Sequence, residues 1–226
     1  MKALLQFAMI GLLLCGGMAR ATSFFPYAES CVTDSNGRYY VVVKRNDKAG
    51  EKSDYGPVTI TIAERAKGSA AVQPALATDK DGDPYRATVD AKIRVRDGDI
   101  VHGQIALDVP PCIILVSSKG LGIVTLDVYG FNEGQDAIKN AVRVYSLKGE
   151  LQHKIARTEI FDSKAKTQFP RIDGNTWWLG AAWIDEKRDH VVIVGKTRSE
   201  NPETCPITTL DIRTEQHEIS GTDLIN

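Results

Sequence analysis

Apolar residues recur along the chain in short runs bounded by Gly, Pro, Asp or Asn. Tyr39–Val43, Val58–Ile62, Ile113–Val116, Ile123–Leu126, Val142–Tyr145, Val191–Val194 and Ile207–Leu210 are rich in β-branched and aromatic residues. Such residues fit a pleated, half-buried surface, and each run has strand length, so the pattern predicts strands. No window of helical length carries a 3.6-residue apolar stripe, and Gln135–Ala141 has room for one turn of helix at most. The chain is predicted to be all-β.

The runs also repeat. Cys31–Val43, Leu115–Thr125 and Trp183–Val194 each read as a strand, a tight polar turn and a second apolar strand. A third strand follows each pair: Pro57–Glu64, Ala141–Gly149 and Ile207–Thr214. A fourth type of strand is shared by Gln152–Ile160 and Gln216–Leu224, both opening with Gln-His-x-Ile, and Ile100–Leu107 is a weaker relative of it. Taken in chain order, these segments predict units over about 27–66, 100–149 and 150–215. A closing strand at 216–225 would return to complete the first unit, which removes an exposed sheet edge.

Strand–turn–strand units of this kind resemble the blades of a β-propeller. Thr33–Tyr40 is similar to the Ser-Pro-Asp-Gly-Arg-Tyr turn of many blades, with Ser35-Asn36 standing where Pro-Asp is usual. Val142–Leu151 and Thr209–Glu215 look like outer blade strands with their closing turns. The resemblance implies repeated four-stranded antiparallel units in a propeller-like arrangement, with a β-sandwich or open sheet as the alternative. Propellers have at least four blades as a rule. Three units therefore require a further blade within Ser69–Arg96, two chains completing one ring as a homodimer, or an open stack.

The first 21 residues stand apart. Lys2 is followed by an apolar run, Ala3–Leu14, broken only by Gln6, and Ala19-Arg20-Ala21 supplies the small residues of a cleavage site. This is the pattern of a signal peptide cleaved after Ala21, which leaves 22–226 as a single all-β repeat domain, exported to the periplasm or secreted. The run is too short to span a bilayer, so no membrane span is expected once it is removed. Export allows a disulfide among Cys31, Cys112 and Cys205, with three alternative pairings, while a buried small hydrophobe is the plainer reading for at least one of them. Of 226 residues, 42% are hydrophobic and 25% charged, and the formal net charge is −1, so a globular fold is expected and there is no electrostatic footprint for nucleic acid.

Candidate chemistry is sparse. Asp79, Asp81 and Asp83 alternate and Asp90 falls at the twelfth position, as in a calcium loop, since a hard cation needs several oxygens converging from one segment. Pro84 occupies the position where such a loop needs a positive φ, and Ala91–Val95 reads as strand where a helix should follow, so a solvated acidic turn is favoured over calcium. Trp177 and Trp178, with Trp183 nearby, suit either a stacking platform for a ligand or a wedge between sheets. Neighbouring strand residues point to opposite faces, so Trp177 and Trp178 cannot share one core.

His153 and His217 occupy equivalent repeat positions, which argues for a shared structural role. Gly120-Leu-Gly122 reads as a turn, and so do the acidic pairs Asp97/Asp99 and Asp185/Glu186. No nucleophile or zinc motif is present in the sequence. The expectation is a binding or scaffolding module for a protein or glycan, without a cofactor. The rival is an extracytoplasmic hydrolase whose residues come from loops of different units.

Overall fold

A computed structural model describes residues 29–46, 57–76, 93–127, 140–161, 171–172, 175–176, 178–196, 205–214 and 217–220. The chain is all-β, as the apolar pattern predicts. Sheet 1 holds β1 (Ser30–Thr33), β2 (Tyr39–Arg45), β3 (Val58–Glu64), β4 (Ala75–Leu76) and β5 (Ile100–Leu107), in the order β4-β1-β2-β3-β5. Sheet 2 is the meander β6 (Ile113–Val116), β7 (Ile123–Leu126), β8 (Val142–Tyr145) and β9 (Leu151–Ile155). One helical turn, α1 (Arg157–Ile160), and a small hairpin, β10 (Arg171–Ile172) with β11 (Asn175–Thr176), lead to sheet 3. That sheet is the meander β12 (Leu179–Asp185), β13 (His190–Gly195), β14 (Ile207–Asp211) and β15 (His217–Ser220), and every strand pairing among the described residues is antiparallel.

The unit boundaries expected from the sequence shift by one strand. Ile100–Leu107 pairs with β3 and completes the first sheet, instead of opening a unit at 100. Of the closing strand expected at 216–225, the described part, His217–Ser220, pairs with β14 in sheet 3. Each fourth strand thus belongs to the sheet before it, and the units are not permuted. An alternating pattern fixes which side chains share a face, but it does not fix which edge a strand joins. The segment Ser69–Arg96, in its described part, supplies the short edge strand β4 and a cap of Val72, Ile93 and Val95 over one face of sheet 1. Ile93–Val95 lies outside any strand, contrary to the expectation for Ala91–Val95.

Sheet 2 is the middle layer. Ile114 and Val116 of β6, Ile123 of β7 and Tyr145 of β8 pack against Val41, Val43, Val58, Ile60 and Ile62 of sheet 1. On its opposite face Ile113, Leu115, Val124, Leu126, Val142 and Val144 pack against Val191, Ile193 and Leu210 of sheet 3. Each wholly buried Val or Ile contributes roughly 1.5–3 kcal/mol relative to exposure, which is why strands apolar on both faces occupy the middle of the stack.

The first hairpin turn shows the local logic. The Asp34 carboxylate accepts the N–H groups of Asn36, Arg38 and Tyr39 at 2.8, 3.0 and 3.0 Å. Gly37 sits at φ 59°, where a Cβ would lie 2.6 Å from the Val72 carbonyl oxygen. Position 37 therefore needs glycine both for its backbone and for its space.

Candidate functional site

Antiparallel connectivity gives each sheet two different ends. At one end lie the tight turns between first and second strands: 34–38, 117–122 and 186–189. The second and third of these turns clasp each other across the sheets. The Glu186 carboxylate accepts the Ser118 N–H at 2.7 Å, and Lys119 Nζ lies 2.6 Å from Asp189 Oδ1. Arg213 lies 2.8 Å from the other oxygen of Asp189, and the two cations hold that carboxyl below its ordinary range. In sheet 1, Glu64 bridges Arg38, at 2.7 Å, and His102 Nε2, at 3.0 Å. These are exposed or half-exposed pairs that fix register, each worth little by itself.

At the opposite end the longer connections leave the sheets: residues 47–56 between β2 and β3, 128–139 between β7 and β8, and 197–204 between β13 and β14. Each is closed at its neck by a backbone hydrogen bond: Asn46 N–H to the Pro57 carbonyl at 2.8 Å, Asp127 N–H to Ala141 at 2.9 Å, and Gly195 N–H to Pro206 at 2.8 Å. Loops carried on a rigid scaffold are where binding and catalytic groups concentrate.

Trp178 joins two of these necks. Its indole N–H donates to the Asp127 carbonyl at 3.1 Å, and its own carbonyl accepts the Lys196 N–H at 2.8 Å. The ring is 1% exposed and meets Phe161 edge-on, with centroids 6.0 Å apart. Of the two tryptophans considered for stacking, Trp178 is therefore a wedge between sheets; Trp177 lies outside the described residues. Trp183, on sheet 3, stands 47% exposed.

Beside that wedge sits the most perturbed carboxylate in the described structure. Asp127 Oδ2 is 3.5 Å from Arg143 Nη1. Burial pushes the Asp127 carboxyl up to about 6, and the Arg143 charge offsets only part of that rise. Tyr145, two residues from Arg143 on the same face of β8, is pushed up by burial, with Arg143 acting against the rise. An acid that exchanges its proton near pH 6 has the property that functional carboxylates share.

The sequence did not single out Asp127 or Arg143. Asp127 looks like the ordinary polar residue after a strand, and Arg143 like a polar position within one. Only the β7–β8 register, which sets Thr125 opposite Arg143, brings the pair together.

The calcium candidates Asp79, Asp81, Asp83 and Asp90 lie outside the described residues. Among the described residues, no group of three His, Cys, Asp or Glu side chains is placed to hold a metal ion. Cys31 is buried against Tyr40 and Val42 with its thiol pushed up to about 11, which makes it a small core hydrophobe. Asp99 closes the 96–99 turn, as expected of a turn acid, and its carboxylate is in addition buried against the Tyr40 hydroxyl. Among the described residues no helix is long and apolar enough to cross a membrane. No protein-family model matches the chain, and neither a curated protein nor a solved structure shows significant similarity to it.

Proposed function

We propose that this chain is an exported β-repeat binding module that takes its ligand, a protein or a glycan, at the end of the sheets where the long connections leave. The observation that carries this reading is the neck architecture. Connections 47–56, 128–139 and 197–204 spring from one end of three packed sheets, and Trp178 ties two of the necks together. A propeller-like fan is the arrangement we infer for the sheets. It is supported by the first strands, since β6 approaches both β1 and β12. Export rests on the Lys2–Ala21 leader pattern.

The test is to replace 47–56, 128–139 and 197–204 in turn with an Asn-Gly turn in the 22–226 chain. Each variant is screened against a glycan array and a peptide library beside the unaltered protein. Capture by the unaltered chain is expected, and at least one replacement abolishes it with the melting temperature held. Capture that survives all three replacements would place the ligand elsewhere and refute the reading.

Asp127 favours a second reading, a hydrolase with Asp127 as proton donor. A carboxyl near pH 6 can serve as general acid at neutral pH. That reading requires turnover of chromogenic glycoside or ester substrates that is lost in Asp127→Asn.

A further inference from the structure

The fourth strand of sheet 1 carries a β-bulge, and the bulge delivers a histidine. Pairing between β3 and β5 runs in step from Val58–Leu107 to Ile62–Gly103 and resumes at Ala63–Val101, which leaves His102 as the extra residue. A bulge gives up a place in the ladder and re-aims the side chain it carries. Beside it, Gly103 lets the β8–β9 turn of sheet 2 come close, since a Cβ there would lie 2.2 Å from the Lys148 carbonyl carbon. The bulge sits at the tight-turn end of the sheets, opposite the long connections.

His102 is held on one ring nitrogen and open on the other. Its Nε2 lies 3.0 Å from Glu64 Oε2. The other Glu64 oxygen accepts from Arg38 Nε at 2.9 Å and lies 2.7 Å from Arg38 Nη2. Arg38 is the main reason that the Glu64 carboxyl sits below its ordinary range. An ionised carboxylate only accepts hydrogen bonds, so in the neutral imidazole the proton is on Nε2 and Nδ1 keeps its lone pair. Tyr39 backs both partners: Arg38 lies 4.8 Å over its ring, and the His102 ring is tilted against it with centroids 6.2 Å apart. No described residue hydrogen-bonds to Nδ1, and the His102 side chain is 26% exposed. Ile100 stands opposite Glu64 in register, hence on the same face, and is 54% exposed. A fixed imidazole with a bare, reachable nitrogen beside an open apolar side chain is the arrangement of a general base next to a place for an acyl group.

We infer that His102 is the general base of an ester-hydrolysing site at the tight-turn end, with the acyl chain of the ester against Ile100 and Glu64 as the positioning residue. His102 Nδ1 takes a proton from a water molecule as the water oxygen bonds to the ester carbonyl carbon. The bond from that carbon to the leaving oxygen then breaks, and the proton passes from Nδ1 to the departing oxygen. Nothing is oxidised or reduced. The site shares no residue with the necks, so it stands or falls separately from ligand capture there and from Asp127.

The experiment is hydrolysis of p-nitrophenyl butyrate by the 22–226 chain, with free imidazole at equal concentration as the reference. The chain is expected to exceed imidazole by about 100-fold, the contribution of a well-placed base. His102→Gln should remove that excess, His190→Gln on sheet 3 should keep it, and Ile100→Ser should raise KM with kcat held. Nitrogen NMR of the histidine-labelled chain reads the tautomer with no substitution at all, and His102 is expected with its proton on Nε2. In Glu64→Gln the amide oxygen stays on Arg38 and the amide NH2 faces His102. The proton should then move to Nδ1 and the excess rate fall by about 10-fold or more, which a merely structural Glu64 would not cause. Melting curves check that each variant is folded. A rate no higher than that of imidazole overturns the inference. So does a rate that survives His102→Gln, or a neutral His102 in the unaltered chain with its proton on Nδ1.

Discussion

Asp99 and Asp127 are acids withdrawn from water in two regions of one small molecule, and the regions treat them in opposite ways. Asp99 lies under the cap of sheet 1. Burial by itself would raise its carboxyl. The N–H of Ala66 at 2.8 Å, the Tyr40 hydroxyl at 2.6 Å and Arg96 Nε at 3.1 Å all donate to it, and together they hold it below the ordinary carboxylate range. Asp127, at the neck of the β7–β8 connection of sheet 2, has burial and one arginine at 3.5 Å, and its carboxyl rises to about 6. Burial acts to raise both carboxyls, more strongly at Asp127, and at Asp99 the three donors outweigh it. The cap treats its acid as a structural tie, whereas the neck keeps an acid that can change charge near neutral pH.

Replacement of the tie should give the largest effect. Asp99→Ala leaves the Tyr40 hydroxyl, the Ala66 N–H and the Arg96 guanidinium without their shared acceptor. A loss of about 3 kcal/mol is expected, since a buried group stripped of a charged partner costs that order. Urea unfolding at neutral pH measures it. A loss below about 0.5 kcal/mol, the size of an ordinary surface substitution, would mean that the network holds nothing.

The neck acid should show itself in pH dependence. A raised folded pKa means that the native state keeps its proton to higher pH than the unfolded chain. The Asp127 contribution therefore falls as pH rises from the unfolded value toward about 6 and is level above that. Asp99 has the opposite sign, with stabilisation present above its unfolded value and lost as the carboxylate protonates in acid. The difference in stability between the unaltered chain and Asp127→Asn, followed from pH 4 to pH 7, should swing by about 2 kcal/mol, most of it below pH 6. A flat difference would return Asp127 to the ordinary carboxylates.

Much of the fold was legible in the residues. The short β-branched and aromatic runs at Tyr39–Val43 and Ile123–Leu126, and the polar turns between first and second strands, gave the right strands. Kinship among Ile100–Leu107, Gln152–Ile160 and Gln216–Leu224 was also visible, and all three regions supply fourth strands. Their sheet membership was not visible, because side-chain alternation is the same whichever neighbour a strand joins. The site was harder to see. Asp99 meets Tyr40 across 59 positions, and Asp127 meets Trp178 across 51, with no local motif to announce either contact. The adjacent tryptophans gave less: Trp178 lies between β11 and β12, outside either strand, so strand alternation does not apply to it, and only packing against Phe161 shows it to be the wedge.

The smallest test alters the number of donors without removing the acid. Tyr40→Phe keeps the ring that fills the cap and deletes one hydroxyl, which both donates to Asp99 and accepts the Arg96 N–H at 3.2 Å. The loss at neutral pH should be about 1 kcal/mol, the usual net worth of such a bond. Its second consequence matters more for the comparison with Asp127. With one donor gone, the Asp99 carboxyl should move up toward its ordinary value, and the acid limb of the stability curve should begin at higher pH. If donor supply decides the sign, Tyr40→Phe makes the cap acid behave part of the way like the neck acid. An acid limb that stays in place after Tyr40→Phe would mean that Arg96 and the Ala66 N–H suffice. The phenol, whose own pKa is pushed up to about 12 chiefly by burial and then by this hydrogen bond, would then serve packing rather than charge.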